Sequence, residues 1–167
     1  MTTPTFQFPC PASDFIRQLP PMRFIDTVLA VDDSSAESIT TIAPDSIALN
    51  PQGRFPALGL IEVMAQTIGI YAGRQMLLLG EAPRLGLLLG TRRMTLPIAD
   101  FAPGDILRSR VEKCFESDDG LWQFSCEVRR MATLKSDWSS GEPAGNAMLT
   151  VFNPPEDYFN EGEESHR

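Results

Sequence analysis

The side chains best placed for chemistry in this sequence are a carboxylate and an amide, Glu62 and Gln66. They lie in an apolar stretch that predicts a helix, so their spacing places both on one helical face, one turn apart. Gln66 could then hydrogen-bond the Glu62 carboxylate and fix its orientation. A carboxylate held in this way can exchange a proton with a substrate, which is general acid–base chemistry.

Most histidine chemistry is excluded by composition. The single histidine, His166, lies in the acidic segment 156–167, which we expect to form a mobile tail. Imidazole-based triads, Cys-His dyads and histidine-rich metal sites would each need a histidine in the folded body. The three cysteines, Cys10, Cys114 and Cys126, match neither a disulfide framework nor a metal-ligand spacing. We therefore expect reduced thiols and no metal.

The charge of the chain argues against nucleic acid as a partner. The sequence has 14 Lys and Arg against 22 Asp and Glu, a formal net charge of -8, whereas binding to phosphate backbones needs a dominant basic surface. The first residues do not resemble a signal peptide, which indicates a cytoplasmic protein. The most apolar stretch, 58–79, contains the charged residues Glu62 and Arg74, so it predicts a buried helix rather than a membrane span.

Hydrophobic patterning predicts one α+β domain over residues 1–155. A long helix at 56–79 is apolar on nearly every face, so other structure must surround it. Residues 1–18 are expected to form an N-terminal extension with a short helix. Strands are expected before and after the long helix, at 24–31, 39–42, 85–97, 106–115, 121–130 and 148–152.

One hairpin can be predicted in detail. Asp119-Gly120 is typical of a two-residue turn, and the register that such a turn sets would place Phe115 opposite Phe124. Alternation along the second strand then points Cys126 inward and Cys114 to the other face. A disulfide between these two cysteines is therefore not expected.

Three stretches carry motifs of a known family. L-P-P-M-R-F-I-D at 19–26 resembles a strand entry L-P-H-R-x-P-M-x-x-x-D with three residues missing, among them the histidine. P-A-L-G-L-I-E-V-M-A-Q-T at 56–67 is similar to a helix whose core is E-x-M-A-Q, and G-L-L-L-G-T-R-R at 86–93 is similar to the strand after it. On these residues the chain resembles the hot-dog 3-hydroxyacyl-carrier-protein dehydratases, especially their aryl-polyene branch. The match extends from residue 19 to residue 152.

The resemblance implies a central helix wrapped by a curved antiparallel sheet of about five to six strands, and pairing of subunits to cover an open sheet edge. It implies that Glu62 is the catalytic carboxylate and that Gly59 presents a backbone N–H to a thioester oxygen. Leu88 and Leu89 are either buried strand residues or walls of an acyl tunnel. The substrate would be carried on the phosphopantetheine of an acyl carrier protein, or as an acyl-CoA thioester, with no further cofactor.

The main departure from the family is the missing histidine. Related enzymes carry G-H-F-P before the helix, and residues 53–56 read G-R-F-P, with Arg54 in the place of histidine. Arginine stays protonated and cannot act as a general base. Arg54 is therefore either a thioester or phosphopantetheine contact or a surface residue. Other arginines form either a docking face for an acidic carrier protein or solvated strand faces: Arg84, Arg92, Arg93, Arg108, Arg110, Arg129 and Arg130.

The leading hypothesis is a dehydratase-like hot-dog subunit of fatty acid, polyketide or aryl-polyene synthesis, acting on 3-hydroxyacyl thioesters. It would form a homodimer, or a heterodimer in which a related subunit supplies the histidine. The first alternative is a noncatalytic acyl-binding or stabilising partner of another hot-dog dehydratase. The second is an acyl thioesterase, which can use a carboxylate without histidine.

Overall fold

A seven-stranded antiparallel sheet packs against one long helix in this computed structural model, which describes residues 4–155 and 157–158. Most of the predicted tail 156–167, including His166, lies outside the described residues. The elements in chain order are β1 (Cys10–Pro11), β2 (Thr27–Val31), β3 (Ser35–Thr41), β4 (Phe55–Pro56), α1 (Leu60–Leu78), β5 (Leu87–Thr95), β6 (Asp100–Phe101), β7 (Ile106–Glu116), β8 (Leu121–Met131) and β9 (Glu142–Phe152).

The sheet has the order β1-β2-β3-β7-β8-β9-β5, and β4 pairs separately with β6. The predicted α+β architecture is confirmed. The sheet has one strand more than the upper expectation because β1, which is only two residues long, pairs with β2. The short helix expected near residue 12 is a single 3-10 turn, Ala12–Asp14. Strand β9 begins at Glu142 rather than at Met148, so the predicted loop before it is shorter.

The helix α1 is buried on most of its surface and contacts β2, β3, β7 and β8. It begins after a 3-10 turn, Ala57–Gly59, and is followed by Gly80, whose φ of 75° favours glycine at a helix end. Thr67 joins the helix to β3, because its hydroxyl oxygen lies 2.9 Å from the hydroxyl oxygen of Ser38 and the two share a hydrogen bond. No helix among the described residues is long and apolar enough to cross a membrane.

The β7–β8 hairpin differs from its predicted register. Residues 117–120 connect the strands, with Gly120 at φ 91°, and a bulge follows Lys113. Phe115 therefore pairs with Gln123, and the predicted pairing with Phe124 was wrong because the connection is longer than two residues. The predicted faces of β8 are confirmed. Cys126 is buried, whereas Cys114 is exposed, and neither forms a disulfide.

The N-terminal segment packs directly on two glycines of α1. A Cβ added at Gly73 would lie 2.0 Å from the carbonyl oxygen of Phe15, which is backbone and cannot rotate away. A Cβ at Gly69 would lie 3.2 Å from the Ile16 side chain. The first contact requires glycine, whereas the second leaves room for a small adjustment.

We expect Gly73→Ala to lower the free energy of unfolding by about 1–3 kcal/mol, because the new methyl group forces the N-terminal segment away. Gly69→Ala is the matched control. It gains the same helix propensity, and its stability should stay equal or rise by up to about 1 kcal/mol. Chemical denaturation measures both, and equal stability of the two variants would contradict the close packing of Phe15 on α1.

Thiol labelling tests the faces of the hairpin. Burial raises the pKa of the Cys126 thiol to about 12, so almost none of the reactive thiolate exists at neutral pH. Cys114 should react with a small alkylating reagent in the folded protein, and Cys126 only after unfolding. Site-specific mass spectrometry measures both rates, and comparable rates in the native protein would contradict this arrangement.

Candidate active site

Glu62 lies in the wall of a cavity of about 240 Å³ between α1 and the edge of the sheet formed by β5 and β9. The N-terminal segment contributes Ile16 and Gln18 to the lining, and Arg84 lies in the segment that leads into β5. Most other lining side chains are apolar: Ala65, Ile68, Ala72, Leu85, Leu87, Leu88, Trp122, Val151 and Phe152. The cavity thus presents a carboxylate to a space of mixed lining, in which apolar side chains outnumber the polar residues Gln18, Arg84 and Asn153. The apolar part of the wall suits a ligand with an apolar chain.

The amide of Gln66 is buried behind Glu62 and uses both of its ends. Its Oε1 accepts hydrogen bonds from the backbone N–H groups of Phe24, at 2.8 Å, and Ile25, at 3.4 Å. Its Nε2 donates to the carbonyl oxygen of Met22 and to Oε1 of Glu62, both at 2.8 Å. The two N–H donors fix the amide orientation, so Nε2 must face Glu62. The hydrogen bond predicted from the spacing is present.

This arrangement defines where a proton on Glu62 would reside. Oε1 is occupied by the Gln66 donor, whereas Oε2 has no hydrogen-bond partner among residues 4–155 and 157–158. Oε2 is therefore the Glu62 oxygen that is left free to contact a ligand. No histidine lies beside it among residues 4–155 and 157–158, and the only histidine of the chain is His166.

The other predicted site residues are placed differently. Gly59 directly precedes α1 but does not line the cavity, and a Cβ there would lie 2.5 Å from the ring of Phe55. Arg54 also lies outside the cavity lining, and its Nε and Nη2 bind Oδ1 of Asp100 at 2.9 Å and 2.8 Å. Gly59 thus packs closely on Phe55, and Arg54 joins the β4 region to β6; the ligand contacts expected of both residues stay predictions.

The leucines of β5 are exposed rather than buried. Leu87, Leu88 and Leu89 are 37%, 42% and 57% exposed, because β5 is the last strand of the sheet and pairs only with β9 among the described residues. Leu88 lines the cavity and Leu89 does not. The interpretation of these residues as buried strand was thus wrong for the chain alone.

The arginines predicted as a possible docking face are mostly paired. Glu37 binds both Arg108 and Arg110, while Arg84, Arg129 and Arg130 each bind a neighbouring carboxylate. Arg92 and Arg93, on β5, have no partner in the described part of the chain. Most arginines of the predicted docking face are therefore neutralised by nearby carboxylates. The two without such a partner among the described residues are Arg92 and Arg93.

Sequence reasoning missed the cavity contribution of the N-terminal segment and of Arg84. Ile16 and Gln18 line the cavity in a segment that packs on α1, where Gly73 meets Phe15 and Gly69 meets Ile16. Arg84 was grouped with strand arginines, although it precedes β5 and lies in the cavity wall. Neither placement follows from periodicity, since both depend on how loops pack in three dimensions.

Comparison with protein families identifies the chain. Residues 10–161 match the ApeP-like family, which is described as ApeP dehydratase. The chain belongs to the ApeP-like family. Comparison with curated protein sequences gives no match.

Solved structures confirm the hot-dog fold. The dehydratase heterocomplex ApeI:P from Xenorhabdus doucetiae matches with a TM-score of 0.77 and 22% identity over 93% of this chain and 98% of that chain. A hypothetical thioesterase with coenzyme A from Streptococcus pneumoniae matches at TM-score 0.55 and 14% identity, over 75% and 82%. The protein smu.793 of Streptococcus mutans, bound to acetyl-CoA, matches at 0.56 and 14%, over 82% and 91%.

We expect Gln66→Leu to lower the free energy of unfolding by about 2–4 kcal/mol, because it leaves the carbonyl of Met22 and the N–H of Phe24 without partners. Glu62→Gln is the control, since the amide oxygen of the substituted side chain can still accept the hydrogen bond from Gln66. The free energy of unfolding of that variant should stay within about 1 kcal/mol of the value for the original chain. Chemical denaturation compares them, and an unchanged stability of Gln66→Leu would contradict the anchoring role.

Proposed function

We propose that this ApeP-like chain is one subunit of a dehydratase acting on 3-hydroxyacyl thioesters, and that a related hot-dog subunit completes its active site. The observation that carries the proposal is a carboxylate, Glu62, held by a buried amide at an apolar cavity. No imidazole lies among residues 4–155 and 157–158. The site has a proton donor but lacks the base that its family would use.

Dehydration needs two proton transfers. A base removes the α-proton at C2, the electron pair of that bond forms the C2=C3 double bond, and the C3–O bond breaks. The leaving hydroxyl departs as water when an acid protonates it. We assign the acid to Glu62, through Oε2, and the base to a histidine of the partner subunit.

The free edge of the sheet supports a second subunit. A sheet edge with unpaired backbone groups and exposed leucines is normally covered by another strand. The edge strand β5 carries Leu87, Leu88 and Leu89 and lies beside the Glu62 cavity. A subunit placed on this edge would therefore lie next to Glu62. The matching ApeI:P structure is a heterocomplex, which supports a related but non-identical partner.

The lining of the cavity supports an acyl chain as substrate. Apolar side chains from α1, β5 and β9 form most of the wall, while Glu62 provides the polar group that would face the reacting carbons. We propose that phosphopantetheine carries the chain, on an acyl carrier protein or as a CoA thioester. The unpaired Arg92 and Arg93 are the candidate contacts for an acidic carrier. The setting would be lipid, polyketide or aryl-polyene synthesis in the cytoplasm.

The test measures dehydration of a 3-hydroxyacyl thioester by enoyl absorbance, for the purified chain alone and co-purified with a histidine-containing hot-dog subunit from the same organism. We expect the pair to be at least about 100-fold faster than the chain alone, since general acid–base groups contribute that much. The partner with its histidine replaced by alanine serves as the control.

Three outcomes would contradict the proposal. Full activity of the chain alone would remove the need for a partner base. Release of free thiol without an enoyl product would instead indicate an acyl thioesterase. If only substitutions in the partner subunit changed the dehydration rate of the pair, this chain would be a noncatalytic stabilising subunit.

A further inference from the structure

Trp122 of β8 is an aromatic residue in the wall of the Glu62 cavity, and its neighbours hold it in place. It is only 6% exposed. Its ring packs edge to face on the rings of Tyr71, at 5.5 Å and 83°, and Phe124, at 6.3 Å and 65°. Nζ of Lys113 lies 5.8 Å from its ring centroid. The indole therefore cannot turn aside without losing packing on several sides.

The helix α1 and the strand β8 run past each other in opposite directions. At the start of the helix, Leu60 lies against Gly145, since a Cβ built there would be 2.9 Å from Cδ1 of Leu60. Gly145 pairs with Val128 of β8. In the C-terminal half of the helix, the ring of Tyr71 contacts Trp122. Val128 is therefore level with the start of α1, and Trp122 is level with its C-terminal half.

The cavity wall extends along α1 from Glu62 toward Trp122. The helix residues that line the cavity follow one helical face: Glu62, Ala65, Ile68, Gly69 and Ala72. Tyr71, which contacts Trp122, comes nine residues after Glu62, about 14 Å along the helix axis. A ligand whose reacting end lies at Glu62 and whose apolar chain follows this face would therefore approach Trp122.

We propose that the indole of Trp122 stops the acyl chain and thereby sets the longest chain that the site accepts. This inference rests on the proposed function, since it takes the thioester end of the chain to lie at Glu62. A chain that ends before Trp122 buries each added methylene against the apolar part of the wall. A longer chain must displace a packed indole or leave its last carbons in water, so further methylenes bring no gain in affinity.

The experiment uses a series of acyl-pantetheine analogues that carry an amide in place of the thioester and saturated chains of increasing length. Calorimetry measures their affinities for the chain in complex with its partner subunit. Each added methylene should tighten binding about fourfold until the chain reaches Trp122, after which the affinity should level off or fall. We call the length at which this happens the break.

Trp122→Leu should move the break to a longer chain, because leucine stays apolar but leaves space where the indole lay. At the first length beyond the original break, the variant should bind about fourfold or more tightly than the unmodified pair. Shorter chains, which do not reach residue 122, should bind both proteins with the same affinity.

The matched control is Trp138→Leu, the same substitution at the other of the two tryptophans of the sequence. Trp138 does not line the cavity, and its ring centroid lies 4.2 Å from the guanidinium carbon of Arg110. This variant should keep the original break.

Fluorescence tests the inference without any substitution at residue 122. In the Trp138→Leu variant, Trp122 is the only tryptophan of this chain, and phenylalanine in place of any tryptophan of the partner makes it the only one of the pair. Its emission should change only when the bound chain is long enough to reach the break. Emission that is unchanged at every length, or that changes equally with the shortest chain, would contradict the contact.

The outcomes separate this inference from the proposed function. If Trp122→Leu folds and shows the original break, Trp122 does not limit the chain, and the dehydratase proposal stands. If the variant binds every chain more weakly by the same factor, Trp122 only supports the cavity wall, which also overturns the inference. If no chain of any length binds to the unmodified pair, both proposals fail.

Discussion

The hydrogen bonds of the buried Gln66 amide hold the candidate site together. Three bonds, to Met22, Phe24 and Ile25, join the helix to a segment that has no regular structure of its own, and a fourth, to Glu62, lies within the helix. Because two backbone N–H groups fix the amide orientation, its remaining N–H must point at Oε1 of Glu62. Oε2 is thereby left without a hydrogen-bond partner among the described residues. A single polar side chain thus controls both local stability and the geometry of the carboxylate.

The second constraint is the unfinished edge of the sheet. Strand β5 exposes leucines and has no strand on its outer side among the described residues. The cavity lies beside this edge, so whatever covers the leucines also approaches Glu62. A chain with an acid but no imidazole in its described residues, and with an open edge at that acid, is physically suited to act in a pair.

The sequence was sufficient for the elements whose signals are local. The long apolar helix, the Glu62–Gln66 pairing and the inward face of β8 follow from periods of 3.6 and 2 and were predicted. The hairpin register was not, because the actual connection has two more residues than the Asp119-Gly120 signal implies and a bulge shifts the pairing again. The location of Arg84 and the packing of Phe15 on Gly73 depend on tertiary approach, which no local pattern encodes.

The most direct test of this account replaces Glu62 by glutamine in the assembled pair and measures the dehydration rate. Glutamine keeps the hydrogen bond from Gln66, so folding and assembly should be unchanged. It cannot donate a carboxylic proton. The account predicts a fall in kcat of at least about 100-fold. A rate within about twofold of the unmodified pair, in a variant that folds and assembles normally, would show that Glu62 is not the acid and that this chain only supports its partner.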